Sequence, residues 1–160
     1  MASNPIIPVG SNDPQMETAI KLARETMRVF LEAFSQRKRN QQSFLVKVRF
    51  EEGGESEHIW LADLDFSTLP SRGVVANEGK IPRLKFMQKV EFDPAQITDW
   101  MYVEDGYLIG GFTTKVIRHR MADGEKAAFD ANAPFKFLSE EADLAALKKA
   151  VSALKNRSSA

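Results

Sequence analysis

Residues 97–120 read ITDWMYVEDGYLIGGFTTKVIRHR. The spacing predicts two strands, Ile97 to Val103 and Tyr107 to Ile109, joined across Glu104-Asp105-Gly106. An Asp-Gly pair between apolar runs is a strong hairpin signal, because both residues tolerate the positive φ that a tight primed turn demands. Gly110-Gly111 then breaks the strand, and Phe112 to Met121 is expected as a helix carrying a basic run. No nucleophile, metal-ligand cluster or phosphate loop stands beside this stretch.

Upstream, Phe44 to Phe50 alternates apolar and basic residues after Val46, the two-residue period of a half-buried strand. Glu52-Gly53-Gly54-Glu55 is a turn, and His58 to Phe66 reads as its hairpin partner. Gly73 to Ala76 and Lys85 to Phe92 are further strand candidates, the latter ended by Asp93-Pro94. Ahead of them Asp13-Pro14 opens a helix, with Asp13 placed to accept from unpaired N–H groups and proline at the first helical position. Ile20, Ala23, Met27, Phe30, Leu31 and Phe34 recur every three or four residues, so this helix is expected to run to about Gln36. Downstream, Leu144, Leu147, Val151 and Leu154 form a narrow stripe on a C-terminal helix over residues 139–156.

These elements predict an α+β fold: a mostly antiparallel sheet of about four to six strands, with a long N-terminal helix and a C-terminal helix packed on it. A flexible tail is expected over residues 1–13 and a single domain over residues 14–157. A chain of 160 residues suits one domain that buries roughly 70% of its unfolded surface.

Composition narrows the function. The chain is 43% hydrophobic and 28% charged, with 22 basic and 22 acidic residues. A net charge of zero supplies no drive toward nucleic acid or an anionic membrane. The absence of cysteine removes disulfides, thiolate metal sites and cysteine nucleophiles together, and suits the cytoplasm. The N-terminal residues lack a basic leader, and no window is long and apolar enough to span a bilayer.

The segments FLVKVRFEEGGESEHIWL and FMQKVEFDPAQITDWMYVEDGYLIGGFTTKVI resemble the YegJ-like family of bacterial domains of unknown function. The matching residues are Glu57 to Leu61, Val90, Pro94, Ile97, Asp99, Trp100, Tyr102, Gly106, Leu108, Gly110, Gly111, Thr113 and Thr114, within residues 42–120. The resemblance implies a bacterial origin and a small α+β module, and brings no established activity. Members of that family often carry an export signal, which the N-terminal residues here do not suggest.

The candidates for chemistry are few. His58 and His119 are too far apart in sequence to suggest a metal site. Asp63 and Asp65 lie two apart on a strand, where paired carboxylates hold a divalent ion or simply exit a sheet in solvent. If Trp100 faces the core, Asp99 points the other way, toward a groove beside Tyr102 or Lys115, or caps the Gly110-Gly111 turn. Consecutive glycines before a helix expose N–H groups to an anion, with Lys115 and Arg118 nearby; the plainer account is positive φ or close packing. The candidate ligand contacts are therefore Asp99, Trp100, Tyr102, Gly110, Gly111, Thr113, Lys115 and Arg118, with no catalytic residue, metal or cofactor expected.

The Arg37-Lys38-Arg39 run complements a helix C-terminus, and no aromatic platform interleaves the basic runs, so nucleic acid is not favoured. The expected function is a non-catalytic cytoplasmic bacterial binding module that acts through a protein partner, in a sharper form an immunity-type protein. The alternative is a small-ligand or anion-binding domain, conceivably enzymatic, with its site near Gly110-Gly111. Self-association into a homodimer through the Leu144, Leu147, Val151 and Leu154 stripe is a third expectation.

Overall fold

Asp13 does cap the first helix. In the computed structural model, which describes residues 13–158, its carboxylate accepts from the N–H groups of Gln15 at 3.1 Å and Met16 at 3.2 Å and starts α1 (Pro14–Glu25). Arg120 holds the same carboxylate from the end of another helix, at 2.5 and 2.6 Å, and lowers its pKa to about 2. The tail expected over residues 1–13 lies, apart from Asp13, outside the described residues.

The single long N-terminal helix requires correction. α1 ends at Glu25 and α2 (Met27–Gln36) begins after Thr26, which has φ −105° and ψ 9°. The cause is a side chain inserted into the helical hydrogen-bond ladder. Trp100 Nε1 donates to the Ala23 carbonyl at 3.0 Å and to Thr26 Oγ1 at 3.3 Å, while the Thr26 hydroxyl donates to the Leu22 carbonyl at 2.6 Å. The buried positions across the break are Met16, Ala19, Ala23, Thr26, Val29 and Phe30, and Leu31 is left 40% exposed.

Six strands follow: β1 (Gln41–Glu52), β2 (Glu55–Asp65), β3 (Ser71–Val75), β4 (Lys89–Phe92), β5 (Ile97–Glu104) and β6 (Tyr107–Gly110). They form one sheet in the order β4-β3-β2-β1-β5-β6, antiparallel at every step. Both hairpins stand where the turn residues place them. Asp105 (φ 53°) and Gly106 (φ 85°) make the β5–β6 turn, the double positive φ that favours this pair of residues.

β4 is shorter than the expected strand over Lys85 to Phe92. Residues 81–88 turn instead, with Leu84 N–H on the Ile81 carbonyl and Gln88 N–H on the Lys85 carbonyl. Ile81 and Leu84 are thereby buried, and the Glu57 carboxylate receives the N–H groups of Lys80 and Ile81.

One face of the sheet packs on α1 and α2 through Val46, Val48, Ile59, Leu61, Val75, Trp100 and Tyr102. This settles the facing of β2: Ile59 and Leu61 point to the helices, Trp60 and Ala62 to the other side. A smaller layer on that second side joins Met101, Val103 and Leu108 to Leu45, Trp60, Phe135 and Phe137. β5 is thus buried on both faces, which explains its nearly continuous apolar sequence.

Three helices follow among the described residues: α3 (Phe112–Arg120), α4 (Asp123–Asn132) and α5 (Glu140–Ser158). α4 has no buried residue and so carries no apolar period to read. Residues after it run alongside β6, with the Leu108 N–H on the Lys136 carbonyl and the Lys136 N–H on the Gly106 carbonyl, both at 2.9 Å. On α5, Leu147, Val151 and Leu154 pack against the main core, while Leu144 is 53% exposed. Three of the four stripe residues therefore serve this chain's own core.

Candidate functional site

The β5–β6 hairpin and the helix after it converge on Asp99. Gly110 (φ 76°) and Gly111 (φ 63°) turn the chain back over Trp100, and the Gly111 N–H donates to the Trp100 carbonyl at 2.7 Å. A Cβ on Gly110 would lie 2.5 Å from Trp100 Cε3, so the close approach itself requires glycine. The chain then enters α3 without a capping side chain of its own.

Asp99, fully buried, supplies the cap from the neighbouring strand. Its Oδ1 accepts from the N–H groups of Trp100 at 2.8 Å and Phe112 at 3.1 Å. Its Oδ2 accepts from the Thr113 N–H at 2.9 Å and from the Thr113 hydroxyl. A carboxylate at a helix N-terminus also meets the positive end of the helix dipole. Burial pushes the Asp99 carboxyl upward, opposed by Lys47 and by the hydrogen bonds from Thr113 and Trp100.

Lys47 stands opposite Asp99 in the β1–β5 register. Its ammonium donates to Thr113 Oγ1 at 2.7 Å and lies 4.9 Å from the centre of the Trp60 ring. Burial pushes the Lys47 amine down and Asp99 pulls it back. Thr98, also buried, meets His58 Nδ1 at 2.9 Å. Burial, with Lys47, Arg49 and Arg24 in the vicinity, lowers the His58 pKa to about 4. Buried Asp99 and Thr113 and the half-buried Lys47 thus form a polar chain in which each member has a hydrogen-bond partner, as burial of polar groups demands.

The other expected contacts go elsewhere. Trp100 and Tyr102 stack on each other and point into the main core, 6.0 Å between ring centroids; Tyr102 therefore shares no groove with Asp99. Burial and the nearby Glu104 push the Tyr102 hydroxyl up to about 12. Lys115 is held by both oxygens of Asp143 on α5 at 2.7 Å. Arg118 makes a two-pronged pair with Asp130 on α4, also at 2.7 Å, and lies 4.3 Å from the Phe137 ring centre. The two cations nominated for an anion fasten the late helices to α3 instead. Asp65 accepts from Ser67 N–H and hydroxyl in a local turn. His119 is exposed, 3.9 Å from Glu140, and no group of three or more His, Cys, Asp or Glu among the described residues is placed to hold a metal ion.

Reading the sequence alone missed Lys47, because in Val46-Lys47-Val48-Arg49 it looks like one of two solvated strand cations. The available signal was its position opposite the candidate Asp99, which needs the strand register.

Comparison with known proteins places these residues in context. The profile of the family described as "Uncharacterized protein conserved in bacteria (DUF2314)" matches residues 13–137. An uncharacterized protein of Escherichia coli (strain K12), YegJ, is 30% identical over 112 residues, which cover 69% of this chain and 72% of that one. A putative ankyrin repeat protein of Neisseria meningitidis serogroup B is 33% identical over 140 residues, which cover 82% of this chain and 55% of the relative. This chain thus spans about half the length of the second relative. No solved structure matches.

Proposed function

We propose that this chain, which belongs to the DUF2314 family of proteins conserved in bacteria, is a binding module that acts through a protein partner. One observation carries the reading: large apolar side chains are exposed around a sheet edge that no other strand among the described residues pairs. The two ends of the sheet differ. β6 is lined by the segment around Lys136, whereas β4 ends the strand order beyond β3. At the two ends of β4 lie Leu69, 86% exposed, and Phe86 and Met87, 56% and 66% exposed.

Exposed apolar surface forgoes about 25 cal/mol per Å² relative to burial, so side chains this exposed gain from covering by a partner. An open strand edge adds unpaired N–H and C=O groups that a partner can satisfy. The name of the Neisseria relative, an ankyrin repeat protein, agrees with work done through protein contacts. In its sharper form the module is a cytoplasmic immunity-type protein that masks another protein. The anion-site alternative at Gly110-Gly111 has less support, since the N–H groups of Phe112 and Thr113 serve Asp99 and the nearby cations serve Asp130 and Asp143.

The test is reconstitution. Candidate partners, beginning with products of neighbouring genes, are purified and mixed with the chain, then run on gel filtration. A co-eluting complex is expected, lost in Phe86→Glu/Met87→Glu with the melting temperature unchanged. Failure of every candidate to co-elute, or a complex indifferent to that double substitution, would refute this reading.

A further inference from the structure

From the hairpin turn, β1 and β2 are paired from Glu52–Glu55 as far as Val46–Leu61 and then part. Beyond that point β1 continues only against β5, through Gln42 and Leu45, while β2 continues against β3, through Ala62 and Asp65. Each strand is irregular where they separate, with a register shift between Gln42 and Leu45 and another between Ala62 and Asp65. The result is a notch in the end of the sheet, a cavity of about 470 Å³. That volume lies within the range of roughly 300–1,000 Å³ typical of small-molecule sites.

Two features distinguish the notch from an ordinary surface hollow. First, both apolar layers of the protein reach it: Phe34 and Phe44 from the helix side, Leu45, Met101 and Phe135 from the other. Second, backbone strain collects there. Five described non-glycine residues have positive φ, and three of them, Arg37 (42°), Ser43 (57°) and Asp63 (46°), line this one cavity. Asp63 belongs to a residue type that tolerates positive φ, but Arg37 and Ser43 do not, so their conformations cost free energy that surrounding structure must offset, and such strain gathers at ligand sites. Bulges of this kind re-aim side chains beside binding sites.

Two exposed residues of opposite charge, Arg37 and Asp63, also line the notch. The Arg37 guanidinium lies 4.7 Å from the Phe34 ring centre and forms no ion pair among the described residues. Asp63 likewise forms none among them. We propose that the notch binds a small zwitterion with a large apolar side chain, the chemistry of a free aromatic or branched apolar amino acid. The side chain enters between Phe44, Leu45 and Phe135, the ligand carboxylate faces Arg37 and its ammonium faces Asp63. This site is separate from the β4 edge and does not depend on a protein partner.

The test is an NMR titration of the ¹⁵N-labelled full chain with L-phenylalanine, with phenethylamine, which lacks the carboxylate, and with 3-phenylpropionate, which lacks the ammonium. Saturable shifts are expected at residues 43–45, 62–64 and 135, and each analogue should bind about tenfold more weakly, as the loss of one charge-assisted contact implies. Arg37→Asn and Asp63→Asn each place asparagine, which tolerates positive φ, at these positions. The first should remove the advantage of L-phenylalanine over phenethylamine, the second its advantage over 3-phenylpropionate. No saturable shift with any of the three, shifts centred elsewhere, or equal affinity for all three would overturn the proposal.

Discussion

Replacing Asp99 by Ala should be among the most damaging single changes to this fold. The substitution removes the acceptor for three backbone N–H groups, those of Trp100, Phe112 and Thr113, and for the Thr113 hydroxyl. It also leaves Lys47 opposite an apolar methyl group. Each buried N–H left without its acceptor costs roughly 1–3 kcal/mol, and the Lys47 ammonium loses the carboxylate that it reaches through the Thr113 hydroxyl. Native stabilities run to only about 5–15 kcal/mol, so a loss near 4 kcal/mol removes a large share. With roughly 2–4 °C per kcal/mol in a domain of this size, the melting temperature should fall by about 10 °C. Asp99→Asn keeps the shape and one acceptor oxygen and should cost less, about 1–3 kcal/mol.

Urea denaturation gives the free energies, and a double-mutant cycle with Lys47→Met assigns them. If the stranded ammonium is the main penalty, Asp99→Ala costs clearly less in the Lys47→Met background. An Asp99→Ala loss below about 1 kcal/mol would refute the capping argument. An identical loss with and without Lys47 would refute the pairing argument.

Four further outcomes are expected. Gly110→Ala combines a positive φ of 76° with a Cβ 2.5 Å from Trp100 Cε3, so it should lose at least about 2 kcal/mol in the same denaturation assay; a neutral result would mean the turn relaxes freely. His58 has a folded pKa of about 4 against 6.5 when unfolded, so between those values the unfolded chain binds the extra proton. Stability present above pH 6.5 should therefore decline as pH falls toward 4, and His58→Gln should flatten that part of the stability–pH curve; an unaltered slope would contradict it. On α5, Leu147→Ala should cost about 1–3 kcal/mol and Leu144→Ala less than about 0.5, since only the former packs on the core. Light scattering on Leu144→Asp separately tests self-association, which predicts a dimer that becomes a monomer.

Much of the local structure was legible from neighbouring residues alone. Asp13-Pro14, Glu52-Gly53-Gly54-Glu55 and Asp105-Gly106 mark a helix start and two hairpins because caps and tight turns depend on the residues that form them. The alternation from Val46 to Phe50 likewise placed β1 and its buried face. The split at Thr26 was not legible, since the cause is the Trp100 indole, 74 residues away in sequence. α4 went unread because no residue of it is buried, and hydrophobic period is the main signal for a helix.

The candidate site divides along the same line. The strand period already sets Asp99 and Trp100 facing opposite ways, and the residue types mark Gly110-Gly111 as a special turn with cations after it. What those groups meet came from the packing of distant segments: Asp99 the start of α3 and Lys47, Lys115 the carboxylate of Asp143, Arg118 that of Asp130. Side-chain direction along a strand is a property of the backbone period, readable within a few residues. Whether a charge is free to bind a ligand depends on which distant carboxylate the fold brings beside it, and that is fixed by packing over the whole chain.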